Sequence, residues 1–264
     1  MNEKKPVLFA LSREEVMVVL GYIKGNGILG LERNEFKDLS KHEIQLVMGA
    51  TERSLIARGF VHPSGDKLVL NELVESVVGV CPFPEVSWAV LHQNAEPPTE
   101  QYYFHALKQL FILHGIPMSG IHQFLSLPGR QAGLKSLLSI LRLQNAAIDS
   151  ECESGRVSRK TMEEAQQAAT KKDYGLVEKV LIKDGLAART ASMLSQSLID
   201  RKAYSSLVRI EQKTESENGK GIAILQSPGK LWLLSSQIEG KNSWTFIESA
   251  NEDKIINRIK VLFD

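Results

Sequence analysis

Catalytic signatures are what this sequence lacks first. No G-x-S-x-G elbow, Walker phosphate loop, H-x-H or H-E-x-x-H occurs in its 264 residues. Those are the spacings that place a nucleophile, a phosphate cradle or a pair of zinc ligands. Charge of one sign is also missing: 32 basic against 31 acidic side chains leave a net +1. Bulk attraction to nucleic acid or to an anionic membrane is therefore not expected, although a local basic patch is still allowed. Cysteine is scarce. Cys81 and Cys152 have no metal-ligand spacing, and two free thiols in a reducing cytosol are the plain reading. No apolar run approaches membrane-spanning length, and MNEKKPVLFALSREE offers only a short one before charges resume. That segment reads as neither signal peptide nor anchor. The expectation is a cytoplasmic protein that is not an enzyme, with no cofactor, no metal, no nucleic acid and no membrane partner.

What is present is an ordinary globular balance, 43% hydrophobic and 24% charged, in a chain long enough to bury a real core. Ser12 with Glu15 and Ser40 with Glu43 fit capping boxes for two helices. In the first, Val16, Val19, Leu20 and Ile23 share a face; in the second, Ile44, Val47, Met48 and Leu55 lead to Gly59. FVHPSGDKLVLNE reads as strand, turn, strand, and Asn71 caps a short helix that ends before CPFPEV. EVSWAVLHQ then changes the period to two. After the polar NAEPPTE come YYFHALK, QLFILHG and IHQFLSL, and a leucine-spaced helix closes the first half. The second half opens with helices at Thr161, paired with Glu164 as a capping box, at Asp173 and from about Leu186. Strands SSLVRIEQK, GIAILQS, KLWLLSS and SWTFIES follow, then a helix capped by Asn251.

Each half thus reads helices, four strands, helix, with strand connections too short for crossovers. The expected fold is α+β: an antiparallel central sheet flanked by helices, in one domain. Two pseudo-repeated halves, 1–145 and 157–264, are joined by a polar connection at 146–156. Such a duplicated unit builds a broad surface, which suits binding better than it builds a cleft.

Three features tempt a sharper reading. GNGILG, from Gly25 to Gly30, satisfies G-x-G-x-x-G, but a helix precedes it where a dinucleotide fold needs a strand, so a turn is expected. SKHEIQLVMGATERSLIARGFVHPSGDKLVLNE has the element order of a winged helix, which makes a DNA-binding transcriptional regulator the alternative function. Its candidate helix offers Arg53 and Arg58 but also Glu52, short of the electrostatic footprint DNA requires. Four of the six histidines, His92, His105, His114 and His122, fall in the first sheet region. Ordinary polar-face residues are expected there, with His92, His105 and Tyr103 as the place where an enzymatic site would be sought. Trp88, Trp232 and Trp244 are expected in the core.

Taken whole, SLIARGFVHPSGDKLVLNELVESVVGVCPFPEVSWAV, with the C-terminal GIAILQSPGKLWLLSS and SWTFIESANEDKIINRIKVLF, resembles the EspG family. These are cytosolic chaperones of ESX, or type VII, secretion. The resemblance covers nearly the whole chain in element order, with residue matches at Leu55, Arg58, Gly59, Gly65, Pro82, Pro228, Gly229, Trp232 and Trp244. It implies a non-enzymatic chaperone that holds a helical secretion substrate soluble. The substrate's apolar tip would be covered by the sheet face, by the loop between two early strands and by the C-terminal helical region. Carried onto this chain, the loop is 94–100, with Asn94, Glu96, Pro97, Pro98 and Glu100. Tyr102, Tyr103 and Phe104 follow as sheet-edge residues, and the helical region is 161–203.

The two functions separate by one measurement. A chaperone gives no salt-dependent shift of duplex DNA, and Arg53→Glu, Arg58→Glu changes nothing in that assay. A regulator binds DNA and loses the binding in the double variant.

Overall fold

The computed structural model describes residues 7–32, 36–95, 98–143, 154–211, 220–239 and 242–264. Its elements run in two similar series. The first is strand β1 (Leu8–Ser12), helices α1 (Arg13–Ile23) and α2 (Lys41–Ala57), and a hairpin of β2 (Val61–Ser64) and β3 (Lys67–Leu70). Helix α3 (Glu72–Val78), the strands β4 (Val86–Asn94), β5 (Thr99–Leu107), β6 (Leu110–Met118) and β7 (Ile121–Leu127), and helix α4 (Arg130–Leu141) complete it. The second is β8 (Ser154–Ser158), helices α5 (Arg159–Thr170), α6 (Tyr174–Lys183) and α7 (Ala188–Ile199). It continues with β9 (Ala203–Glu211), β10 (Lys220–Ser227), β11 (Lys230–Glu239), β12 (Asn242–Ala250) and helix α8 (Glu252–Phe263).

The fold is α+β, as the sequence implied. Ten strands form an antiparallel sheet in the order β1-β7-β6-β5-β4-β9-β10-β11-β12-β8, and β2 with β3 forms a separate small sheet. Three local corrections follow. A strand opens each series, where the sequence reading began with helices. β1 buries only Phe9 and Leu11, and β8 only Val157, too few turns of the period-two pattern to stand out. β5 lies between β6 and β4, so Tyr102, Tyr103 and Phe104 are interior-strand rather than sheet-edge residues. The cap of α5 is Ser158, whose hydroxyl accepts from the Thr161 N–H at 3.2 Å; Thr161 sits inside the helix.

The chain divides into two compact units, the first Met1–Ala89, Glu100–Lys135 and Ile210–Glu217, the second Val90–Thr99, Ser136–Arg209 and Asn218–Asp264. In the first, Phe9, Leu11, Ile112 and Phe124 of the strands meet Val16, Val19 and Leu20 of α1, Leu55 of α2, and Val74, Val77 and Val78 of α3. A buried carboxylate ties these elements together. Glu15 is 6% exposed. Its side chain accepts from the Ser12 N–H at 2.9 Å, the Ser54 hydroxyl at 3.0 Å and the Arg58 guanidinium at 2.5 Å. Arg58 also donates to the Ala10 carbonyl at 2.6 Å and stacks 4.5 Å over the Phe60 ring. One of the two arginines a DNA reader would need is therefore spent on the protein itself.

In the second unit, Met162, Ala165, Ala168, Val177, Leu181, Ala191 and Leu194 of the three-helix layer cover Leu225, Trp232, Leu234 and Ile247 of the sheet. The Trp232 indole donates to the Ser197 hydroxyl at 2.8 Å, so this buried ring is satisfied as well as packed. Trp88 is also fully buried, in the first unit. Trp244 corrects the expectation for the third tryptophan. It is only half-buried, and the Arg156 guanidinium lies 4.7 Å over its ring. Register explains the difference: Trp232 pairs with Ser249 and Trp244 with Gln237, so the two indoles stand on opposite faces.

Removing the Glu15 carboxylate leaves the Ser54 and Arg58 donors without their acceptor. Glu15→Ala is expected to lower unfolding free energy by about 2–3 kcal/mol. Arg58→Ala costs less, about 1 kcal/mol, because Arg58 is partly solvated. Urea unfolding of both and of the double variant checks this; strictly additive losses would remove the coupling claimed for the pair.

Candidate functional site

The β4–β5 connection is fixed at its root within the second unit. The Ala95 N–H donates to the Lys202 carbonyl at 2.9 Å. That carbonyl belongs to the short junction between α7 and β9, the end of the helical region 161–203. His92, buried below, contacts Asn94 Oδ1 at 3.2 Å through Nε2 and Ser205 Oγ at 2.8 Å through Nδ1. An amide oxygen only accepts, so Nε2 carries the proton and Nδ1 takes the serine hydroxyl's. The imidazole thus joins the last residue of β4 to β9. Beyond this root, Pro98 is exposed, while Glu96 and Pro97 lie outside the described residues.

Of the three helices here, α6 has the side-chain cap the sequence implied, Asp173, α5 is capped by Ser158 in place of Thr161, and α7 follows Ala187 without a side-chain cap. The apolar stripe of each helix faces inward, but Tyr174, Leu176 and Ile182 of α6 are 42%, 42% and 44% exposed. These side chains give the outer surface of the layer an apolar character.

The remaining expected site residues belong to the first unit. Glu100 accepts from the Tyr102 hydroxyl at 2.9 Å, and both are half-buried. Tyr103 is half-buried too, and its ring closes off Gly30: a Cβ there would meet the ring at 2.5 Å. Gly30 also has φ +80°. GNGILG is therefore the turn expected of it, with a packing duty added. Phe104 is a correction, fully buried against Phe111 with ring centroids 6.0 Å apart. Strand alternation sends it to the opposite face from Tyr103 and into the core, so it has no surface to offer a partner.

Sequence reasoning missed a file of imidazoles. His105, His114 and His122 come from β5, β6 and β7, with Tyr103 beside them. Ring centroids are 5.4 Å apart for Tyr103–His114, 5.9 Å for His105–His114 and 5.1 Å for His114–His122. All three histidines are buried, which overturns the polar-face expectation. The signal was available in their period-two spacing among apolar residues. His114 Nε2 and His122 Nδ1 share a hydrogen bond of 2.9 Å, and Ser87 Oγ meets His105 Nδ1 at 2.9 Å. Among the described residues no hydrogen-bond partner reaches His105 Nε2 or His114 Nδ1. Burial holds the pKa of His105 down to about 3. Burial first, then the neighbouring His105 and His122, holds His114 well below the usual value. His122 is lowered by burial and then by Arg13, against an opposing contribution from Glu14.

The described residues contain no group of three or more histidine, cysteine or acidic side chains able to hold a metal. No helix among them is long and apolar enough to cross a membrane. Cys81 is buried, and burial pushes its thiol pKa up, away from the thiolate a nucleophile needs. Cys152 lies outside the described residues.

No protein-family model matches the chain, and no curated protein sequence matches it. A solved structure does: the type VII secretion system chaperone EspG5 of Mycobacterium tuberculosis, determined in complex with a PE25-PPE41 dimer. The match has TM-score 0.65 and 14% identity over 98% of this chain and 96% of that one. At that identity the likeness shows the fold, which is EspG-like. Two others are far weaker. Peroxisomal multifunctional enzyme type 2 of Drosophila melanogaster gives TM-score 0.17 at 11% identity over 93% of this chain and 48% of that one. HtdX of Mycobacterium tuberculosis gives 0.16 at 10% over 92% and 99%.

The histidine file has a pH consequence. A folded pKa depressed below the unfolded value of about 6.5 means the unfolded chain binds protons first as pH falls. The stability these groups contribute is complete above about pH 6.5 and lost as pH falls towards the folded values. His105→Asn keeps a nitrogen or oxygen near the Ser87 hydroxyl and removes one titration. Unfolding free energies at pH 7 and pH 5 are expected to differ less for the variant, by up to about 1.4 kcal/mol per pH unit. Equal slopes for both proteins would show that His105 does not titrate on unfolding.

Proposed function

We propose that the protein is a non-enzymatic cytosolic chaperone that binds a helical type VII secretion substrate and keeps it soluble for export. The observation that carries this reading is the EspG-like fold, matched over 98% of the chain to a chaperone solved with its PE25-PPE41 dimer. Two local features support it. The root of the β4–β5 connection is bonded to the end of the α5–α7 layer through Ala95 and Lys202, so a loop and a helical flank are held together in one unit. The flank presents exposed apolar side chains at Leu176 and Ile182, which suits an apolar helical tip that would aggregate if left uncovered.

In this reading Asn94, Glu96, Pro97, Pro98 and Glu100 form the loop that grips the substrate, with Tyr102 and Tyr103 supporting it. Phe104 drops out because it is core. Burial keeps the histidines where an enzymatic site would have been sought away from solvent, which supports a role in the core.

Pull-down with the tagged protein, followed by mass spectrometry, is expected to recover a small helical protein that is also found outside the cell. Pro98→Asp, at an exposed position of the loop, should weaken that complex about tenfold or more without moving the melting temperature. Recovery of duplex DNA instead, or a complex indifferent to the loop variant, would turn the reading towards a regulator or another surface respectively.

A further inference from the structure

The second unit has a surface that the loop and helical flank do not use. α8 covers only part of its face of the sheet. Beside it lies a cavity of about 800 Å³, open to solvent along one side and lined from β8–β12 and α8. Three cations line it: Arg209 of β9, Lys220 of β10 and Arg258 of α8. Arg209 and Lys220 are directly paired in the antiparallel ladder, so their side chains leave the same face, where like charges oppose each other. Arg209 also donates to the Leu262 carbonyl at 3.2 Å. The one carboxylate in the lining, Glu248, is already engaged by Lys254 at 2.8 Å. Lys220 and Arg258 are exposed, and neither makes an ion pair or side-chain hydrogen bond among the described residues. Apolar surface sits next to this charge: Phe246 is half-buried on the floor and Val261 of α8 is 66% exposed.

We infer that this groove docks an acidic peptide segment of a partner protein, with carboxylates on Lys220 and Arg258 and an apolar side chain between Phe246 and Val261. The one complementary group in the lining, the Glu248 carboxylate, is held by Lys254, and Ser235 and Gln237 add hydrogen-bonding capacity along the floor. The open side favours an extended segment over a small molecule, since small-ligand sites bury most of their ligand. The groove is separate from the β4–β5 connection, so it is independent of whether the protein serves secretion.

The test uses the whole protein and a short fluorescein-labelled peptide alternating glutamate with leucine, read by anisotropy. Binding in about the micromolar range is expected, weakening as salt is raised and at least about tenfold weaker in Lys220→Glu, Arg258→Glu. Both side chains are exposed, so folding should be untouched. Lys67→Glu, at an exposed position of β3, should bind as wild type does. Failure of the wild type to bind overturns the inference, as does equal affinity of the double variant or of a glutamine-for-glutamate peptide. Displacement of the peptide by equimolar pyrophosphate would assign the groove to small anions and overturn it too.

Discussion

Each series of this fold starts from the same constraint: a short edge strand ends in the serine that caps the next helix. Ser12 is the last residue of β1 and the N-cap of α1; Ser158 is the last residue of β8 and the N-cap of α5. The strand pairs with the last strand of its own meander, β1 with β7 and β8 with β12. A helix begun in this way has its first turn fixed against the sheet by both a ladder and a cap. The direction of the helical layer that follows is then set by chain connectivity as well as by side-chain packing. That the device occurs twice, with little residue similarity, is the physical content of a duplicated unit, and a duplication is what we propose underlies it.

The two units pay for their buried polar groups differently. In the second, Ser197 receives both the Trp232 indole and the Ser227 hydroxyl. In the first, Glu15 of α1 gathers donors from Ser12 of β1, Ser54 of α2 and Arg58 at the end of α2, a network whose loss would leave each donor stranded. The histidine file is less complete, because stacked imidazoles on neighbouring strands satisfy some nitrogens and leave His105 Nε2 and His114 Nδ1 without a partner among the described residues. Unmet buried donors and acceptors cost about 1–3 kcal/mol each. The aromatic stacking around His114, with Phe124 at 4.6 Å and Tyr103 at 5.4 Å, is the available offset.

Much of this was legible in the sequence, for identifiable reasons. Capping boxes at Ser12 and Ser40 are local and need no tertiary information, and both formed. The long strands and the α8 stripe announced themselves by period. What failed was whatever depended on neighbours in space. Five-residue strands carry too little periodicity to be seen, so β1 passed as a short apolar run and β8 as part of a polar connection. Phe104 and Tyr103 are adjacent in sequence and opposite in fate, and only the identity of each face could separate them. The histidines looked polar because residue type suggested it. Ile112, two residues from His114, and Phe124, two residues from His122, are core residues on the same face as the histidines and were the better guide.

The same alternation decides what the second unit's sheet can do. Along β11, Trp232 and Leu234 point to the three-helix layer and are sealed by it, whereas Ser235 and Gln237 fall outside that core. Had both faces been apolar, a single helix such as α8 would leave a large hydrophobic strip in water, an aggregation hazard for a sheet this wide. The chain instead places serine, glutamine and cations where α8 stops. Solubility alone would be met by any mixture of charges. The composition here is one-sided, since the sole lining carboxylate is taken by Lys254 while two cations are left over. A surface selected only to stay wet has no reason to concentrate one sign of charge beside Phe246. A surface selected to receive an acidic segment does.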